Sequence, residues 1–275
     1  MDLTKYSTFT QDQPYGKTSS KYKMIPTSAV HDLIEAKGFE CVDYQEAYAR
    51  TPEKRGYQPH VLRYRNPAIA RMGELEKGDI IPEMLLSNSH SGDSCFTFQL
   101  GLYRCFCSNQ CVSLEAEITS VKVRHIGFSS GDVRRAIEET IAAAPQLAER
   151  VKQFQTIDLT PNQQAKFVMA AGDIKHQKKP GEIYRSQFLR MLDRARRPQD
   201  KGLNLWKVYN RTQENVIKGG VFRFFESPDG NYRKAGNAFD RFDRHKTQAI
   251  RSPLENVKVN AKLWQLTAKL ADQLS

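Results

Sequence analysis

No stretch of this chain approaches the roughly 18 consecutive apolar residues that a membrane-spanning helix needs. Cysteine is scarce: there are five, and four of them crowd between Cys95 and Cys111. The opening MDLTKYSTFTQDQPYG has no apolar run and does not read as a secretory signal. A cytoplasmic location follows as the expectation, with thiols rather than disulfides. There is no glycine-rich phosphate loop of the Walker or dinucleotide type. There is no paired C-x2-C knuckle for a structural zinc and no paired-carboxylate metal site. Residues 1–130 also lack net charge, with 15 basic and 15 acidic side chains.

What is present is a concentrated basic field. The chain of 275 residues carries a formal charge of +11, and all of that excess lies between Lys175 and Arg251, where 19 basic residues face 8 acidic ones. Charge gathered in this way suits a polyanion, and nucleic acid is the expected partner. No basic helix with a Trp/Phe/Leu-rich opposite face is visible, so a membrane surface is not expected. Aromatics interleave with the charges in "YRSQFLR", "WKVYNR", "VFRFFESPDGNYRK" and "FDRFDRHK". Cations neutralise phosphates and aromatic rings stack on unpaired bases, which favours single-stranded DNA. Trp206, Trp264 and most phenylalanines are assigned to the core.

The periodicity predicts an α+β fold. Residues 1–20 read as a flexible arm. Residues 21–128 read as an antiparallel β-meander with one packed helix. "KYKMIPT" is expected as a short strand. A helix follows, capped by Thr27 or Ser28 and ended near Gly38. In "HVLRYR" the alternation sets His60, Leu62 and Tyr64 on one side and Val61, Arg63 and Arg65 on the other. Residues 129–275 read as a mainly helical basic region packed on the first half as one composite domain. It has one helix from Ser130 or Asp132 to about Phe154, and another begun by Thr160, Pro161 and Gln163 as a capping box. A further helix, placed on a 100° wheel, gathers Arg190, Arg194 and Arg197 on one stripe. "LWKVYNRTQENVIKGG" is a helix ended by Gly219-Gly220, a β-hairpin is expected near 221–235, and a last helix starts about Pro253.

The segment "NSHSGDSCFTFQLGLYRCFCSNQC" holds the chemical candidates. Cys105, Cys107 and Cys111 with His90 or His125 have the residue types of a metal site. Cys107, His125 and Asp93 have those of a nucleophile. C-x-C on a strand puts two sulfurs on one face, but a second paired knuckle is lacking, nothing in the sequence brings Cys107, His125 and Asp93 together, and Cys95 reads as a small hydrophobe among phenylalanines. No metal, cofactor or catalytic residue is expected. The nucleic-acid contacts are expected at Arg190, Arg194, Arg197, Lys207, Arg211, Arg223, Arg233 and Lys234, with Arg63 and Arg65 extending the groove from the sheet.

The stretches "KYKMIPTSAVHDLIEAKGF", "NSHSGDS", "LWKVYNRTQENVIKGG" and "NAKLWQLTAKLA" resemble the phage- and plasmid-encoded domain of unknown function family 932, in order and over about Lys21 to Ala271. Two loop tips depart from the family pattern. Ser91 stands where the family has Asp, and Gln110 stands where it has Gly. The resemblance implies a protein of a mobile element in a bacterial host cell. More distantly the arrangement is similar to single-strand annealing proteins. That implies a homo-oligomeric ring or filament holding single-stranded DNA in recombination or replication. The alternatives are a protein-binding inhibitor of a host defence system and a metal-dependent nuclease built on His90, Asp93 and His125.

Overall fold

The computed structural model describes residues 1–67, 81–92, 95–103, 110–111, 120–123, 130–176, 183–184, 186–221, 225–226 and 246–275. They group into two units, Met1–Glu149 with Ser252–Ala261, and Arg150–Arg251 with Lys262–Ser275.

The first unit is built on an antiparallel sheet. Its strands are β1 (Glu40–Glu46), β2 (His60–Arg65), β3 (Ile81–Asn88), β4 (Phe96–Tyr103), β5 (Gln110–Cys111) and β6 (Ser120–Val123). The first four follow one another as a meander; β5 and β6 both pair with β4, at opposite ends of it. The expected meander is therefore present. Its cause is visible in the register: Tyr44, Leu62, Leu86, Phe98 and Val121 stand opposite one another in a row across five strands. A one-residue slip would turn that row to the other face. Met84, Leu85 and Leu86 are all buried in succession, as in a strand covered on both faces. On the second face Val61 and Leu85 pack against Val257.

Helix α2 (Thr27–Glu35) buries Val30 and Ile34. The preceding Lys21–Pro26, expected as a strand, is not one among the described residues. Residues 1–20, expected as a flexible arm, include the short helix α1 (Ser7–Thr10), and Leu3, Thr8 and Phe9 are buried. The helix expected from Ser130 to Phe154 is two helices, α3 (Ser130–Ala142) and α4 (Ala144–Thr156), interrupted at Ala143. Pro145 at the second position of α4 accounts for the break. Its ring removes an amide hydrogen and is tolerated only in a first turn. Cys95 is exposed and precedes β4, rather than lying in its core.

The second unit contains α5 (Pro161–Lys175), β7 (Ile183–Tyr184), α6 (Ser186–Leu192), α7 (Leu205–Lys218), β8 (Phe225–Glu226) and the latter part of α8 (Pro253–Leu274). The capping box of α5 is formed as expected. Thr160 Oγ1 accepts from Gln163 N at 3.3 Å, and Gln163 Oε1 accepts from Thr160 N at 2.8 Å. Thr160→Ala is expected to lower stability by about 1 kcal/mol, read as a shift in the urea midpoint followed by tryptophan fluorescence.

Helix α7 is the axis of this unit and is buried on every side from Leu205 to Ile217 except at Lys207. Trp206, Tyr209, Trp264 and Phe154 meet there, with ring centroids 5.0–6.4 Å apart. Both tryptophans are thus core residues, as expected. Gly219 ends α7 at φ +62°, and a Cβ at that position would lie 2.5 Å from the Thr247 carbonyl oxygen, so both the turn and the close approach require glycine.

One expectation for this unit changes. The arginine stripe assumed a helix continuing through Arg197, but α6 ends at Leu192. Arg197 is extended at φ −130° before a 3₁₀ turn at Pro198–Asp200, because the residue before proline is driven out of the helical region. Near 221–235 only Val221, Phe225 and Glu226 are described, and β8 pairs with β7. The rest of the expected hairpin, with Arg223, Arg233 and Lys234, lies outside the described residues.

Candidate functional site

Two polar constellations stand out, one in each unit. In the second, the segment Asp193–Gly202 is strapped onto α7. Arg211, on the buried helix, donates to Asp193 Oδ1 at 2.7 Å and to the carbonyls of Asp200 and Gly202 at 3.2 and 2.6 Å. Asn215 Nδ2 reaches the carbonyls of Leu192 and Arg194, both at 2.8 Å. In return Arg196 donates to Asn215 Oδ1 and to the Gly219 carbonyl, closing the C-terminal end of α7. Glu214 accepts from Arg197 at 3.1 Å and Lys218 at 2.8 Å. Buried hydrogen-bonded charge of this kind fixes geometry, because each member removed leaves a partner stranded. Arg211, Glu214 and Asn215 of "NRTQEN" thus hold a loop in place.

That arrangement sorts the expected contact residues. Arg211 is 4% exposed and fully engaged, so its charge is internal. Arg197 is tied to Glu214. Arg190, in the last turn of α6, and Arg194, two residues beyond its end, are exposed and form no ion pair with a described residue. Lys207 is half-buried beside Gly202. Exposed Lys201 is a cation not singled out from the sequence. Lys175, the first charge of the basic stretch, donates to the Val216 and Gln248 carbonyls at 2.7 and 2.6 Å, and burial pushes its pKa down to about 8. On the sheet of the first unit, Arg63 and Arg65 lie 3.2 and 2.7 Å from the buried carboxylate of Glu83. Burial raises the pKa of Glu83, against the pull of the two arginines.

The second constellation lies under the Asn88–His90 turn and gathers residues from four separate segments. His60 Nδ1 is 3.0 Å from the Gln58 carbonyl, which can only accept, so that nitrogen carries the proton. His60 Nε2 then accepts from the Thr27 hydroxyl at 2.7 Å. Asn88 Nδ2 donates to Thr27 Oγ1 at 3.2 Å, and His90 Nε2–H lies 3.2 Å from Thr27 Oγ1 and 2.9 Å from the Thr8 carbonyl. One set of neutral tautomers satisfies all of these bonds. Thr27, His60, Asn88 and His90 are completely buried. Burial first, and His90 second, lower the pKa of His60 to about 3. Thr27 does not cap α2, as expected from the sequence, because its hydroxyl serves the histidines instead; Pro26 takes the N-cap place with no side-chain bond. The strand alternation that set His60 beside Leu62 and Tyr64 was the available signal for this cluster.

Among the described residues no group of three or more His, Cys, Asp or Glu is placed to hold a metal ion. Asp93, Cys105, Cys107 and His125 lie outside the described residues. No helix among the described residues is long and apolar enough to cross a membrane.

An antiparallel meander with packed helices and a helical unit around a buried axis define an α+β protein. The chain belongs to the family described as domain of unknown function (DUF932), whose pattern matches residues 14–264. It is 31% identical to UPF0380 protein YafZ and 30% identical to UPF0380 protein YfjQ, both of Escherichia coli strain K12. Each alignment spans 268 residues, 98% of this chain and 89% of the relative. No solved structure matches the chain.

Proposed function

We propose that the protein binds single-stranded DNA and anneals it, as a homo-oligomer, in the recombination or replication of a mobile element. The observation that carries this reading is the confinement of the whole net charge to Lys175–Arg251, with Arg190 and Arg194 exposed at a braced loop and unneutralised by any described acid. Three arginines of that stretch, Arg196, Arg197 and Arg211, build the brace, so the exposed cations stand on an ordered support. Electrostatic capture needs no cofactor, and the affinity it gives falls steeply with salt.

The test is fluorescence anisotropy of a labelled oligonucleotide, single-stranded and as a duplex, at two salt concentrations. The single strand is expected to bind more tightly, with affinity dropping as salt rises. The double substitution Arg190→Ala/Arg194→Ala is expected to weaken binding about tenfold and to reduce the slope of log affinity against log salt by about 1.4, from roughly 0.7 counterions per phosphate contact. Binding that is absent at low salt, or indifferent to both substitutions, overturns the reading.

A further inference from the structure

Residues 1–130 carry no net charge, yet they present an aromatic ring among exposed cations. Tyr48, 90% exposed, is the sole aromatic among the exposed large hydrophobic side chains of the described residues. It sits in the β1–β2 loop, Ala47–Pro59, beside exposed Arg50, Lys54 and Arg55. None of these three cations forms an ion pair with a described residue. The loop's acid, Glu53, is already engaged: its pKa is lowered first by the backbone and the Thr51 hydroxyl, and only then by Lys17.

The stem of the loop is well anchored. Ala47 N donates to the Pro59 carbonyl at 2.8 Å, and Gly56 N to Gln58 Oε1 at 2.7 Å. Gly56, at φ +90°, lies so close to Ser7 and Gln11 that a Cβ there would come within 3.3 Å of the Ser7 carbonyl. The Tyr57 ring packs at a tilt against Tyr15, with centroids 5.0 Å apart, and the Tyr57 carbonyl accepts from the Ser89 hydroxyl at 3.2 Å. The chain therefore secures both ends of this loop in the core while leaving one tyrosine and three cations in water. A solvated charged tip needs no aromatic. A ring held out on an anchored loop, with cations on the same tip, has the elements that bind unpaired bases: a stacking face and phosphate partners.

We propose that the Ala47–Pro59 loop is a second contact for single-stranded nucleic acid, with Tyr48 stacking on an unpaired base and Arg50, Lys54 and Arg55 holding the adjoining phosphates. This rests on the single-strand reading above and adds to it a base-stacking site outside the Lys175–Arg251 stretch. Stacking distinguishes a single strand from a duplex, whose bases are already stacked on one another.

The experiment uses the full chain with a labelled oligo-dT, a duplex of equal length and a poly-glutamate competitor. Tyr48→Ala is expected to weaken oligo-dT binding about 5- to 150-fold and leave duplex binding within about twofold, while Tyr48→Phe keeps the parent affinity. Arg50→Ala/Lys54→Ala/Arg55→Ala is expected to lower the salt slope by about 2. Tyr48→Trp adds a solvent-exposed indole to the buried Trp206 and Trp264, and its red-shifted emission is expected to be quenched by oligo-dT. If the parent protein binds oligo-dT and Tyr48→Ala binds it equally well, this inference fails and the single-strand reading stands. Should poly-glutamate displace oligo-dT from the parent protein as efficiently as unlabelled oligo-dT does, the loop is a docking site for acidic protein and the inference is overturned. No binding of oligo-dT by the parent protein defeats both.

Discussion

Arg211→Ala is expected to lower the stability of the second unit by about 3 kcal/mol. The substitution strands Asp193 and two carbonyls, those of Asp200 and Gly202, in or beside the core. It also removes three of the bonds that hold the Asp193–Gly202 segment on α7, leaving those of Asn215, Arg196 and Arg197. Arg211→Lys restores the charge but not the planar fork that reaches three acceptors, so it is expected to recover less than half of the loss. Arg190→Ala/Arg194→Ala should stay within about 0.5 kcal/mol of the parent, because both side chains are exposed and have no described ion-pair partner. Urea unfolding followed by tryptophan fluorescence measures all three, since Trp206 and Trp264 both belong to this unit. An Arg211→Ala protein as stable as the parent would show that the strap contributes nothing to the fold. Arg211 would then be a candidate for direct contact after all.

The first unit is expected to lose about 3 kcal/mol between pH 7 and pH 4.5 through His60 alone. The folded pKa, about 3, lies below the ordinary 6.5, so the unfolded chain takes up the proton first as the pH falls. The contribution is complete above pH 6.5 and is lost progressively as pH drops from 6.5 toward 3. Burial is the main cause, because a charged imidazole loses its hydration there. The surroundings offer no relief, since Thr27 already receives the Asn88 and His90 N–H groups and has no room for a third donor. Glu46, opposite His60 in the β1–β2 register, is bonded to Thr8. Urea midpoints by far-ultraviolet circular dichroism at pH 7 and 4.5 give the loss, and His60→Gln is expected to flatten it by about one proton while lowering stability at pH 7. A slope unchanged in His60→Gln would assign the acid sensitivity to other groups.

Both centres show where reading the chain as a string reaches its limit. The alternation in "HVLRYR" was enough to turn His60 inward and Arg63 and Arg65 to the other face, and the structure agrees. That reading could not tell that Thr27 would leave its capping role for His60, because the two residues are 33 apart in the chain. The wheel that aligned Arg190, Arg194 and Arg197 was sound as geometry. It failed because Pro198 sets the backbone of Arg197, and because the helix ends where Asn215 takes the carbonyl of Leu192. Counting arginines located a basic stretch but could not separate Arg211, which bonds inward, from Arg190 and Arg194, which face water.

The sequence by itself determined the antiparallel meander, the capping box at Thr160, the glycine terminator of α7, the core places of Trp206 and Trp264, and the confinement of charge to Lys175–Arg251. Each of these follows from local rules: a period of two or 3.6, a hydroxyl three residues before an amide, a backbone that only glycine adopts. Only the tertiary structure decided which charges are available and which are structural, and that Thr27, His60, Asn88 and His90 share one buried network. Those outcomes depend on desolvation and on partners distant in the chain, and a polar side chain carries no mark of its own that says which partner it will find.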